Sequence, residues 1–228
     1  MSDASPAPET PRTRMVLIRH GESLATQSRT LAGYRTCKGL TELGRAQAAR
    51  LRERLARSGE IQAGVLVASN FARAIQTADI IAPALGGLTP IIDPGVGEHD
   101  PGPVCDGLTF RQFVERFGDE RDWEDPYRDN FTGGETISAF HHRVATALHD
   151  IASVHAGKCV VVACHGGVVD VAFRSFLRAP IAGNFELHTL NTSITSFERL
   201  GSTKWKLERY NDSAHLEGLP AESPRASD

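Results

Sequence analysis

The chain has 228 residues, 40% hydrophobic and 23% charged, which is enough for one α/β domain with a buried core. Its formal net charge of −3 gives no general attraction to nucleic acid or to an anionic membrane, so neither is expected as a partner and any anion site must be local. No apolar run is long enough to cross a bilayer, and the Pro-, Ser- and Thr-rich residues 1–13 lack the apolar segment of a secretory signal.

In chain order, the apolar run at 15–18 reads as a buried strand. Thr41 can cap a helix running to about residue 57, with Leu43, Ala46, Gln47, Leu51 and Leu55 near one face and Gly59 closing it. A second buried strand is expected at 65–68, and then a helix over 71–85 that Pro83 ends early. Ile91 and Ile92 suggest a short strand. The Gly-, Pro- and Asp-dense stretch 95–107 reads as a loop, with a short helix at 108–117 after it. Residues 118–133 are acidic and aromatic, with no clean period. Next comes an amphipathic helix with Ile137, Phe140, Val144, Leu148 and Ile151 on one stripe and Gly157 as its stop. A third buried strand at 159–163, a helix at 168–177 and two late strands at 194–200 and 204–210 complete the pattern.

Strands alternating with helices predict an α/β fold, a three-layer α/β/α sandwich around a mostly parallel central sheet. With no internal repeat and no second zone of composition, one domain is expected over 14–216, between disordered tails at 1–13 and 217–228. Cys37, Cys105, Cys159 and Cys164 form no CxxC pair, so no metal or redox centre is expected. Free thiols in a reducing cytoplasm are the reading they support.

The chemistry starts where the first strand ends, at Arg19-His20-Gly21-Glu22-Ser23. In open α/β sheets ligands bind outside the carboxyl ends of strands. Arg19 offers a planar fork of donors that matches phosphate oxygens. His20 offers a neutral nitrogen able to attack phosphorus, and Gly21 lets the backbone approach an anion closely. His165 also follows a buried strand, and Gly166 and Gly167 then open a helix whose free N–H groups favour an anion. Arg73 lies just after the second strand. Three strand ends therefore deliver two arginines and two histidines to one sheet edge, a clamp suited to phosphoryl transfer.

These residues belong to an ordered series of motifs. Arg19-His20-Gly21-Glu22-Ser23, Leu40-Thr41-Glu42-Leu43-Gly44, Ser69-Asn70-Phe71-Ala72-Arg73, Glu98-His99-Asp100-Pro101-Gly102, Gly133-Gly134-Glu135-Thr136, Cys164-His165-Gly166-Gly167 and Asn211-Asp212-Ser213-Ala214-His215 together resemble the signature of the histidine phosphatase (phosphoglycerate mutase-like) superfamily, branch 1. The resemblance implies a phosphohistidine on His20, phosphoryl oxygens held by Arg19, Arg73 and His165, and Glu98 as general acid and then base, without cofactor or metal. Asp100 is the alternative acid. The implied activity is that of a histidine acid phosphatase-like hydrolase acting on a small phosphorylated metabolite. The alternatives are a phosphoglycerate mutase-type transferase and a non-catalytic phospho-ligand binding module. Dimers occur in such a family, but no apolar stripe here compels a homodimer.

The sequence departs from that pattern in three places, one being the loop Gly33-Tyr34-Arg35-Thr36-Cys37-Lys38-Gly39, which lacks the aspartate many relatives carry before the second motif. Thr26 stands where many relatives carry a phosphate-binding asparagine, so Thr26 and Gly166 join Arg19, Arg73 and His165 as expected substrate contacts. Glu124 and Asp125 follow Trp123 where mutases place two carboxylate-gripping arginines, which argues for hydrolysis. His141, His142, His149 and His155 read as solvated, His215 as a structural hydrogen-bonding group, and Arg29, Arg35 and Lys38 as part of a solvated loop open to substrate contact.

Overall fold

The computed structural model describes residues 12–183, 185–221 and 223. In chain order its elements are β1 (Thr13–Arg19), α1 (Leu24–Gln27), α2 (Glu42–Ser58), β2 (Val65–Ala68), α3 (Ala72–Ile81), β3 (Ile91–Ile92), α4 (Gly102–Cys105), α5 (Phe110–Phe117), α6 (Ile137–Val154), β4 (Cys159–Cys164), α7 (Gly166–Leu177), β5 (Ile194–Leu200) and β6 (Lys204–Asp212). Short 3₁₀ turns occupy Ala82–Leu85, Pro94–Val96 and Ala214–Leu216.

The strands form one six-stranded sheet in the order β3-β2-β4-β1-β5-β6. β4 runs parallel to both β1 and β2, and β3 runs parallel to β2. β5 is antiparallel to β1 and to β6. The link from β5 to β6 is too short for a crossover, so this pair can only form a hairpin.

Alternation along the strands splits the core into two layers. Met15, Leu17, Val65, Val67, Val160 and Val162 pack with the Phe140–Val144–Leu148 stripe of α6 and with Val168 and Phe176 of α7. Val16, Ile18, Leu66, Ala68, Val161 and Ala163 face Leu51 and Leu55 of α2 and Ala78 and Ile81 of α3. Each fully buried aliphatic side chain contributes roughly 1.5–3 kcal/mol of transfer free energy. Helices on both faces explain why these strands read as continuous apolar runs. Among the described residues, no helix is long and apolar enough to cross a membrane.

Most expected boundaries agree with the structure. Thr41 caps α2 by accepting from the Gly44 N–H at 3.0 Å, and Gly59 ends the helix in a left-handed conformation at φ 61°. Leu43 and Ala46 are only half-buried, and Gly44 and Ala48 take the inner positions instead. Pro83 turns the end of α3 into the 3₁₀ turn Ala82–Leu85. α7 starts at Gly166, two residues before the expected 168, because the glycines adopt helical geometry under His165 as N-cap. The expected loop 95–107 contains α4, and α1 was not anticipated. Both helices are a single turn, too short for periodicity to register.

Of the expected tails, residues 1–11, 222 and 224–228 lie outside the described residues. Thr13 is not part of a tail. It opens β1, is 1% exposed, and accepts a hydrogen bond from the Gly157 N–H. At the other end, the Ser223 N–H donates to Glu22 Oε2 at 2.8 Å.

The junction between β1 and α2 requires glycine. A Cβ on Gly44 would overlap the Glu22 carbonyl oxygen, and one on Gly21 would overlap the Gly44 carbonyl oxygen. Gly44→Ala is therefore expected to destabilise the protein by about 1–3 kcal/mol, as overpacking does. Chemical denaturation compared with an exposed control, Arg50→Ala, checks this; equal midpoints would refute it.

Candidate active site

Three strand ends converge on one buried cluster. β1 ends at Arg19, and the His20 N–H donates to the Cys164 carbonyl at 2.9 Å, tying the first motif to the end of β4. The His20 ring places Nδ1 at 2.7 Å from the Gly21 carbonyl oxygen. A carbonyl only accepts, so Nδ1 carries the proton and Nε2 keeps its lone pair. Arg73, in the first turn of α3, donates from Nε to that Nε2 at 3.0 Å and to His165 Nδ1 at 3.4 Å. One N–H thus bridges two imidazoles whose centroids are 5.1 Å apart. His165 Nε2 is 2.6 Å from Ser69 Oγ. Arg19 Nη1 donates to the Thr189 carbonyl. Arg19, His20, Arg73 and His165 are 7, 5, 6 and 0% exposed.

This cluster buries two guanidinium groups, Arg19 and Arg73, beside two imidazoles. The proton affinity of His165 is pushed well below its usual range, first by burial and then by Arg73, His20 and Arg19. The N-terminus of α7 adds its free N–H groups to the same side.

Glu98 enters from the loop after the 3₁₀ turn Pro94–Val96. Its Oε2 accepts from the Gly167 N–H at 3.2 Å, and its Oε1 accepts from the His99 N–H at 3.0 Å. A Cβ on Gly167 would overlap Glu98 Oε1, so the second glycine makes room for the carboxylate. Arg143 holds the loop from beneath. It donates to the carbonyls of Pro94, Gly95, Gly97 and Glu98 and makes two 2.7 Å bonds to the Glu135 carboxylate. Glu135 in turn accepts from the Asp100 N–H. Asp100, the alternative acid, is turned toward Arg35 and the Gly102 N–H and lies outside the cavity wall.

Arg19, His20, Arg73, Glu98 and Gly166 line one end of a cavity of about 790 Å³. Thr26 also lines it, with Oγ1 3.0 Å from Ser23 Oγ, the N-cap of α1. Several expectations need correction. Glu124 and Asp125 are not among the lining residues: their backbone N–H groups donate to Asp122 Oδ1 in a surface turn. Their anionic character therefore cannot select against a carboxylate, because they do not reach the site. His141 is not a solvated side chain but a half-buried wall of the cavity. His149 is exposed yet reaches Ser175 Oγ at 3.0 Å. Arg35 pairs with Asp100 and Asp106, and neither it nor Arg29 nor Lys38 faces the cavity. His215 has the structural role expected, with Nε2 2.9 Å from Thr192 Oγ1.

Sequence reasoning missed Ser69, which partners His165, and Asn191, whose Nδ2 donates to the His20 carbonyl at 2.7 Å. The position of Ser69 directly after β2 was a usable signal. Asn191 had none, since the loop before β5 comes alongside β1 only through sheet pairing.

The model of the histidine phosphatase superfamily, branch 1, matches residues 15–213. The chain belongs to that superfamily. Among curated relatives, the phosphoglycerate mutase-like protein 4 of Arabidopsis thaliana is 31% identical, over 89% of this chain and 86% of the relative. A metal-independent phosphoserine phosphatase from the same plant is 29% identical, over 91% and 84%. Among solved structures, a mycobacterial glucosyl-3-phosphoglycerate phosphatase in complex with VO3 superposes with a TM-score of 0.72 at 26% identity, covering 88% of this chain and 99% of that one.

Two outcomes follow from this electrostatic arrangement. An anion among Arg19, Arg73 and His165 raises the proton affinity of His165, so orthovanadate binding near pH 7 is expected to take up protons. Calorimetry in buffers of different ionisation enthalpy reads this; a buffer-independent heat rules it out. Separately, burial lowers the pKa of His99, His141, His149, His165 and His215, the last to about 4 from 6.5. The unfolded chain then binds more protons, so stability rises with pH. The melting temperature is expected to fall as pH drops from about 6.5 toward 4, with a shallower slope in His215→Gln.

Proposed function

We propose that the protein hydrolyses a phosphomonoester through a phosphohistidine on His20. One observation carries the reading: His20, whose Nε2 bears no proton and accepts from Arg73, lines the same cavity end as Arg73 and the Glu98 carboxylate. The phosphatases among its relatives support hydrolysis as the outcome.

In the first step the Arg73 Nε–H shifts from His20 Nε2 to a phosphoryl oxygen, and the freed Nε2 lone pair attacks phosphorus and forms the N–P bond. The ester P–O bond breaks, and protonated Glu98 supplies the proton to the leaving oxygen. Arg19, Arg73, His165 and the N-terminal N–H groups of α7 hold the three equatorial oxygens, whose charge they balance throughout. In the second step ionised Glu98 takes a proton from water as the water oxygen attacks phosphorus. The N–P bond breaks, and phosphate leaves with the Nε2 lone pair restored. The Gly21 carbonyl keeps Nδ1 protonated and the ring fixed in both steps. No step calls on a metal, because the guanidinium groups supply the positive charge.

Turnover of p-nitrophenyl phosphate and of alkyl phosphates without added metal tests this. His20→Ala is expected to lose activity by at least about 10³-fold, and wild-type protein quenched in acid to carry acid-labile ³²P. Glu98→Gln is expected to lose about 10²–10⁴-fold on alkyl esters and less on p-nitrophenyl phosphate, whose leaving group needs no proton. Activity surviving in His20→Ala refutes the mechanism. Transfer of label to a second hydroxyl, seen only with a bisphosphorylated primer, assigns a mutase instead.

A further inference from the structure

The catalytic cluster uses only one end of the cavity, and the rest has a character of its own. α7 presents Gly166, Asp170 and Arg174 to the cavity in succession. At 1.5 Å per residue this stripe extends about 12 Å from the anion end. A three-carbon phosphate ester would leave most of that length empty.

The far wall is built rather than incidental. Arg174, 6% exposed, pairs through Nε with Asp170 Oδ2 at 2.5 Å. Its Nη1 donates to the carbonyls of Pro180 and Gly183, and its Nη2 to that of Phe185. The guanidinium lies 4.3 Å from the Phe185 ring centroid. A guanidinium committed in this way shapes the 180–187 segment and has little left for a substrate anion. Across the cavity Trp123 stands 5.8 Å from Phe131, and both line the wall with Phe140. Trp123 and Phe185 are 45 and 38% exposed, so although Arg121 lies over the Trp123 ring at 5.7 Å and Arg174 over that of Phe185, much of each ring stays available to a ligand.

The polar groups of this half mostly accept hydrogen bonds. Asp170 Oδ1 has no partner among the described residues, and Glu186 lies on the same wall. His141 lines the wall with a buried Nε2 that has no hydrogen-bond partner among the described residues. The nearby cation, Arg121, donates to Asp119 at 2.7 Å and lies over the Phe110 ring at 4.5 Å, so its charge is already balanced. Aromatic faces bind the C–H face of a ring, and exposed acceptors select hydroxyl donors while repelling carboxylates.

We infer that the alcohol half of the substrate is a ring-sized, uncharged, hydroxyl-bearing group, such as a cyclic sugar presents, held between α7 and the walls carrying Trp123 and Phe185. The inference rests on the phosphatase reading only for which end receives the phosphate.

The test ranks hexose 6-phosphate, a ribonucleoside 5′-monophosphate, phenyl phosphate, phosphoserine and 3-phosphoglycerate by kcat/KM, and by calorimetric affinity for wild-type and His20→Ala protein. One of the two sugar esters is expected to lead the three-carbon esters by at least about tenfold. In Trp123→Ala and Phe185→Ala that ratio falls toward one. In Asp170→Asn the sugar esters lose ground to phenyl phosphate. Three-carbon esters matching the sugars overturn the inference, as does phenyl phosphate leading both. If no ester is hydrolysed, the phosphatase reading fails alone, and the affinity ranking still decides the substrate class.

Discussion

The site depends on one shared proton: the Arg73 Nε–H lies between His20 Nε2 and His165 Nδ1, and all three side chains are almost fully buried. Two imidazoles buried beside two guanidiniums would repel them if protonated, and burial would strengthen that repulsion by lowering the local dielectric. The protein keeps the arrangement by leaving His165 neutral and by pinning both rings from behind, through the Gly21 carbonyl and Ser69 Oγ. Arg73 thus both orients the two rings and sets the positive potential around them.

Such a cluster needs rigid support, and the sheet supplies it. Central strands β1 and β4 pair in parallel, so their carboxyl ends emerge side by side and put His20 and His165 in contact. The core layers above and below prevent the strands from sliding. Close approach of backbones completes the support. Gly21 against Gly44 brings α2 onto the nucleophile loop, and Gly167 admits Glu98 to the start of α7.

The carboxylate is mounted differently. Glu98 sits on a loop with no strand behind it, and Arg143 takes the place of one by gathering four carbonyls and the Glu135 carboxylate. Arg174 does the same for the 180–187 segment at the far end of the cavity. Two arginines from neighbouring helices each shape an irregular loop, one bearing Glu98 and one lining the far end of the cavity. Arginine suits this role because its fork satisfies several carbonyls at once and stays charged.

Much of this was legible in the residues alone. Unbroken apolar runs identify β1, β2 and β4 because both of their faces are covered. Arg19, His20, Arg73 and His165 sit at strand ends, where the geometry of an open sheet makes them neighbours. The caps at Thr41 and Gly59 are local and were readable as such. Other features depended on long-range packing. The turn around Asp122 carries Glu124 and Asp125 away from the cavity although Trp123 faces it, and the sequence around Trp123 has no period from which to infer that. That Glu98 lines the cavity while Asp100 turns away follows from where Arg143 and Arg35 draw each residue, 45 and 65 positions apart in the chain. His141 becomes a wall of the cavity only because α6 packs beside α7. Local propensity and strand-end placement therefore determined the chemistry at the phosphate end. The shape and polarity of the leaving-group end were decided by tertiary contacts, since loops without periodicity take their positions from the side chains that anchor them.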